Sequence, residues 1–196
     1  MRNRLFAAVL GLLAFVPHGV AQFRVPYVPS PTEVVDRMLA LAEVTKTDIV
    51  VDLGSGDGRI PIAAAKKYGA RGVGLDIDPL KIAESRANAK AAGVESLVEF
   101  REQDVLTADF SEATVVTLYL LSSANAQLRP IITKQLKPGT RIVSHAFSMG
   151  PTWPADKIDR CFTFSNYSNG SVFHGCAATS DELKARLQTF KLSAQP

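Results

Sequence analysis

The sequence predicts an α/β domain, doubly wound about a mostly parallel sheet. Three observations predict it. Val- and Ile-rich runs of strand length alternate with helix-like segments along most of the chain. Those runs are continuously apolar, as strands covered on both faces are, rather than alternating apolar and polar. The first of them, within "VVDLGSGDGRI" (50–60), leads straight into a glycine-rich loop and a helix, the arrangement that puts a ligand at the carboxyl end of a strand in such folds.

At 196 residues, 46% hydrophobic and 21% charged, the chain suits one domain with a real core. Residues 1–21 stand apart from it: "MRNR" is a basic start, "LFAAVLGLLAFV" an apolar run, and "GVA" a small-residue end. The run is short of the roughly 20 residues that span a bilayer. It reads as an export signal, with a membrane anchor and then a mitochondrial presequence as alternatives, and leaves 22–196 as a single domain. Setting aside Arg2 and Arg4 leaves 20 basic against 19 acidic residues. Such a balance argues against a nucleic-acid binder that works by charge alone.

The elements follow in order. Ser30 with Glu33 makes a capping box, Pro31 takes the first helical position, and Val34, Val35, Met38 and Leu39 give the helix one apolar face. "DIVVDL" is a strand, 59–68 a helix, "RGVGLDI" a strand, and 79–92 a helix capped by Asp78 with Pro79 in its first turn. "LVEFREQ" and "ATVVTLYL" are strands, 124–135 is a helix, and "KPGTRIVSH" is a turn feeding a further strand. Beyond it, "DRCFTFSNYSNGSVFHGCAATS" reads as a β-hairpin about an Asn-Gly turn. A loop at 167–170 would set Cys161 opposite Cys176, a disulfide in an exported chain and two thiols in a reducing compartment. The sequons at Asn166 and Asn169 overlap that turn and read as turn chemistry. Two cysteines and three histidines without zinc-ligand spacing predict no metal site.

Glycines at 54, 56 and 58 let the chain turn sharply and bring N–H groups close to an anionic part of a ligand. The dinucleotide fingerprint needs glycine or alanine where Arg59 stands, and Asp52 would repel a pyrophosphate. The same carboxylate attracts a cation. S-adenosyl-L-methionine meets these demands, with a cationic amino group and sulfonium, a carboxylate for the loop amides, and ribose and adenine that need acceptors. Asp76 ends the second strand, where ribose hydroxyls bind in doubly wound folds, and Asp104 follows the third, in reach of the adenine amino group.

"VVDLGSGDG", "GVGLDID", "EQDV" and "LKPGTRIVSH" together resemble the class I, seven-strand S-adenosylmethionine-dependent methyltransferases. More narrowly, "PYVPSPTEVVDRML", "VVTLYLLSSAN" and "RIVSHAFSMG" resemble the small protein-lysine methyltransferases that modify the c-type ring protein of ATP synthase and the adenine nucleotide translocase, and their bacterial relatives. The resemblance implies a Rossmann-like methyltransferase fold of seven strands, ending here in an antiparallel hairpin. It implies that Asp52, Gly54, Gly56 and Gly58 hold the methionine part of the cofactor, Asp76 its ribose and Asp104 its adenine, with Tyr27 helping to close the channel. "TLYLL" stands where amide- and base-methylating relatives carry an Asp or Asn, Pro, Pro and aromatic motif, so the implied acceptor is a lysine amine. Thr117, Tyr119 and Asn125 are candidates for the rim of its channel, and His145 for the group that takes its proton. Acidic residues of the family are replaced here by Ala146 and Ser148.

The expected partner is therefore a protein substrate, membrane-associated if the targeting segment is an anchor, and not a nucleic acid. Three alternatives stay open: a small-molecule methyltransferase, an exported binding protein that keeps the scaffold without turnover, and, most distantly, an oxidoreductase. An export signal conflicts with a cofactor made in the cytosol.

Overall fold

The computed structural model describes residues 27–155 throughout and, beyond them, the backbone of 157–166, 171–175 and 184–191. Residues 1–21 and Cys176 lie outside the described residues, and with them the targeting segment and the Cys161–Cys176 pairing.

The elements are α1 (Thr32–Leu41), β1 (Ile49–Leu53), α2 (Arg59–Tyr68), β2 (Arg71–Asp76), α3 (Pro79–Ala91), β3 (Val98–Glu102), β4 (Val115–Leu118), α4 (Ser122–Gln135), β5 (Arg141–His145), β6 (Lys157–Asn166), β7 (Ser171–Gly175) and β8 (Lys184–Lys191). One sheet runs β3-β2-β1-β4-β5-β8-β6-β7. Its first five strands are parallel, and β8 pairs antiparallel with β5 and β6. The backbones of β6 and β7 pair antiparallel from Phe162↔Gly175 to Asn166↔Ser171, with the connecting 167–170 outside the described residues. The strand count is eight rather than seven. The strand missed is β8, "KARLQTFK", whose charged and polar residues hide it from a search for Val/Ile runs.

Side chains of successive strand residues point to opposite faces, and the two faces are covered differently. Val50, Val115 and Val143 pack under α1 and α2 with Met38, Leu39, Ile60 and Ala64. Val51, Val116 and Ile142 face the other way, onto Leu128 and Ile132 of α4 and the buried ring of Phe110. Ile82 and Ala89 of α3 close on Ala65 and Phe100 beside α2. All four residues of the expected apolar face of α1 are buried. Among the described residues no helix is long and apolar enough to cross a membrane.

The capping box is a correction. Pro31 occupies the cap position of α1 without a side-chain bond, and the helix starts at Thr32. Ser30 Oγ is instead within 3.0 Å of His145 Nδ1, a contact across 115 residues that a local pattern does not foresee. Asp78 caps α3 as expected, accepting from the N–H of Leu80 with Pro79 in the first turn.

Candidate active site

Strand β1 is flanked by β2 on one side and β4 on the other, and connections leave it in both directions across the sheet. A crevice opens at the carboxyl ends of strands where the winding reverses in this way. Here it is a cavity of about 750 Å³, lined by Asp52, Gly54, Ser55, Asp76, Asp104 and Tyr119, among others.

The loop after β1 is fixed by backbone bonds: the N–H groups of Gly54 and Ser55 both donate to Leu75 O at 2.9 Å. Gly56, at φ +53°, lies against the Tyr27 ring so closely that a Cβ there would meet Cε2 at 2.3 Å. Asp76 Oδ2 accepts from the Gly56 N–H at 2.8 Å and Oδ1 from the Asp78 N–H at 3.0 Å, so one carboxylate joins the loop tip to the start of α3. Asp104 sits two residues past β3, its Oδ1 accepting from the N–H of Leu106 at 2.9 Å.

Asp52 is 3% exposed, and its carboxylate accepts from Thr117 Oγ1 at 2.7 Å. Burial pushes its pKa up to about 7 against that hydrogen bond, and the nearby Asp76 and Asp57 add to the rise. A positive group in the cavity would hold it ionised. Thr117 thus partners Asp52 and does not itself line the cavity.

Residues 27–30 pass over the glycine loop as a strap. Lys81 Nζ stands 3.8 Å from the centroid of the Tyr27 ring. Arg59, which breaks the dinucleotide pattern, pairs with Asp57 through Nε at 2.9 Å and donates from Nη1 to Ser30 O at 2.7 Å. Burial alone would raise Asp57, but the bonds from Arg59 outweigh it and hold the carboxyl below its usual value. Arg59 was visible in the sequence as a misfit; its strap partner, 29 residues earlier, was not.

The residues proposed for the acceptor side are placed unevenly. Tyr119 lines the cavity, half-buried, and burial raises its phenol pKa. Its ring centroid is 3.9 Å from that of His145 and 6.3 Å from that of Phe147. His145 is 3% exposed, lies behind Tyr119 without lining the cavity, and burial lowers its pKa to about 4. Asn125 is fully buried; its Nδ2 donates to Phe147 O at 3.2 Å and Ser148 O at 3.3 Å, and its Oδ1 has no partner. The cavity is thus reached by Tyr119 but not by Asn125 or His145, whose bonds serve the chain around it. Phe147 and the Asp57–Arg59 pair are the residues that sequence reasoning passed over. Among the described residues no group of three or more His, Cys, Asp or Glu is placed to hold a metal ion.

Residues 52–157 match the ANTKMT methyltransferase domain. A protein-lysine N-methyltransferase of Saccharolobus islandicus is 46% identical over 147 residues, 74% of this chain and 88% of that protein. A lysine N-methyltransferase of Xenopus laevis that acts on the c-type ring protein of ATP synthase is 34% identical over 144 residues, 74% of this chain but only 62% of the frog protein. The crystal structure of a Salinibacter ruber protein, described as an RNA methyltransferase in complex with S-adenosyl-L-homocysteine, superposes with a TM-score of 0.71 at 48% identity, covering 86% of this chain and 96% of that one. The matched segment contains the glycine loop, the three cavity carboxylates and both aromatic residues that follow β4 and β5, and the chain belongs to the ANTKMT methyltransferase family.

Proposed function

We propose that the chain is an S-adenosyl-L-methionine-dependent protein-lysine N-methyltransferase. The observation that carries this is one cavity in which a buried Asp52, a glycine loop and two further carboxylates meet an aromatic side wall at Tyr119. The donor set suits the cofactor: Asp52 faces its cationic amino acid end, the loop amides its carboxylate, and Asp76 and Asp104 its ribose and adenine. The named functions of the archaeal and frog relatives support lysine as acceptor.

When bound, the cofactor supplies an electrophilic methyl group: the N–C bond forms as the S–C bond breaks, and the electron pair stays on sulfur. The protein's part is position and exclusion of water. Asp76 keeps the loop tip in place through Gly56, and the strap covers it through Tyr27. Tyr119 offers an apolar face and a phenolic oxygen to the incoming amine. An amine of reference pKa about 10.4 must arrive neutral, and the apolar wall favours that form by disfavouring the charged one. His145, buried and bonded to Ser30, positions Tyr119 and the strap, and the amine's proton leaves to water.

Two further readings belong here. The C-terminal strands, with β8 antiparallel to β5, fit a methyltransferase sheet elaborated by a hairpin at 161–176. Residues 1–21 are an export or anchoring segment, which places the substrate at or beyond the cytoplasmic membrane. RNA is the second acceptor reading, favoured by the description of the Salinibacter ruber protein and opposed by the near balance of charge.

Incubating the full chain with methyl-labelled cofactor, a membrane and envelope protein extract and total cellular RNA separates these. Label recovered on lysine after hydrolysis supports the proposal. Label confined to RNA or to small molecules overturns it.

A further inference from the structure

The cavity has two chemically different sides. Its carboxylates come from β1, β2 and the loop after β3, whereas aromatic residues follow β4 and β5, across the point where the winding reverses. The donor's polar groups match the first side, which leaves the second for the acceptor.

On that second side the chain does something the fold does not require. The N–H of Phe147 donates to His145 O at 2.7 Å, closing a three-residue turn whose centre, Ala146, has φ +64°. Such a turn is rare and strained for a residue other than glycine, and strain of this kind persists where the surroundings over-determine it. They do so here. Ser144 Oγ and Asn125 Nδ2 both donate to Phe147 O, and Asn125 Nδ2 also lies 3.3 Å from Ser148 O. Asn125 is fully buried for this purpose and leaves its own Oδ1 unpaired. The ring presented by this arrangement contributes to none of the hydrophobic core clusters. It is partly exposed and stacks instead toward Tyr119, which lines the cavity.

We propose that Phe147 is a specificity-determining residue: with Tyr119 it forms an aromatic wall along which the side chain of a substrate lysine lies, and Asn125 is the positioning residue that holds Phe147 in place. The assignment rests on the reading of the chain as a protein-lysine methyltransferase. Two ring faces suit a four-carbon stem that ends in an amine, because they bury the methylenes and attract the ammonium as it arrives. Neither ring offers the hydrogen-bonding edge that would select a nucleobase or an amide.

The test uses the full chain, S-adenosyl-L-homocysteine for calorimetry, and methyl-labelled cofactor with the membrane and envelope extract for turnover. Phe147→Ala is expected to raise the half-saturating extract concentration roughly tenfold while homocysteine-cofactor affinity stays within about twofold. Phe147→Tyr restores the wild-type value, and Asn125→Ala shifts it in the same direction as Phe147→Ala without altering the sites labelled. Unchanged turnover in Phe147→Ala overturns the wall. So does an equal loss of cofactor affinity, which would put the ring in the donor's site. A wild-type chain that binds the cofactor but labels no lysine overturns the lysine reading itself, before any variant is compared.

Discussion

Asp52→Asn is expected to make the protein more stable and a poorer cofactor binder at once. The aspartate's pKa rises from 3.8 to about 7 on folding, chiefly because burial disfavours the charged form. A group raised in this way contributes stability below its unfolded value and loses it as pH climbs through the folded one. The stability is therefore whole below about pH 4 and gone above about pH 7, with a loss on the order of 4 kcal/mol in the cofactor-free protein. An asparagine keeps the shape and an oxygen for Thr117 Oγ1, whose bond to residue 52 is 2.7 Å. It escapes the ionisation. Urea denaturation at about pH 8 should show the variant more stable by at least 1 kcal/mol and by as much as about 4, and the gap should close near pH 4.5. Calorimetry should show the opposite for S-adenosyl-L-homocysteine, because a neutral amide cannot complement its amino group. In the wild type, binding at about pH 6 should release close to one proton, since the ligand selects the ionised carboxylate. A variant whose advantage is the same at both pH values, or a wild type that binds with no proton exchange, would refute the assignment of Asp52 as a buried, cation-seeking carboxylate.

Other perturbations separate positioning from chemistry. His145→Gln, able to keep a bond to Ser30, should retain most turnover, and a loss of about a hundredfold or more would restore His145 as a general base. Burial lowers the His145 pKa to about 4, so its contribution to stability is present above the usual imidazole value and lost as pH falls toward 4; unfolding scans of wild type and His145→Gln should diverge only in that range. Gly56→Ala places a methyl where the Tyr27 ring lies and strains a residue at φ +53°, so faster cofactor release is expected in stopped-flow measurements. Arg59→Ala frees Ser30 O, and limited proteolysis should then cut near residues 27–31 with the core left intact. Asp48→Ala should cost about 3 kcal/mol in denaturation without changing cofactor affinity, since it strips a buried carboxylate from the Arg141 guanidinium far from the cavity.

The donor half of the site was legible because its signals are local. A glycine loop after a strand, and an acid at or just beyond each of three strand ends, are patterns of a few residues, and the sheet order then brings them together. The parallel strands were legible for the same reason, as unbroken apolar runs. What stayed hidden depends on distance along the chain. Ser30 reads as a helix cap because a serine three residues before a glutamate satisfies that pattern; only the folded chain brings His145 within reach of its hydroxyl. Asn125 reads as a polar residue on a helix and becomes a brace only when β5 delivers the carbonyls of Phe147 and Ser148. Strand β8 was missed because its neighbours β5 and β6, not its own composition, make it a strand.

The two ends of the parallel sheet divide labour. At the amino ends, Asp48 accepts from the Thr45 N–H at 2.7 Å and from Thr114 Oγ1 at 2.6 Å and pairs with Arg141, whose Nη1 donates to Ala42 O at 2.8 Å and Glu43 O at 3.0 Å. One carboxylate and one guanidinium thereby tie the end of α1 to β1, β4 and β5 with their bonding capacity used. The carboxyl ends show the reverse. Asp52 is buried without a cation, Ala146 holds a left-handed φ, and Ser55 Oγ and Asn125 Oδ1 are buried without partners. Each such feature costs on the order of 1–3 kcal/mol, a large share of the 5–15 kcal/mol that typically separates folded from unfolded chains. Costs of that size collected at one rim and absent from the other are not the signature of careless packing. They mark the rim where the fold gives up stability to keep a charge, a turn and an aromatic wall ready for ligands that the amino-terminal rim never meets.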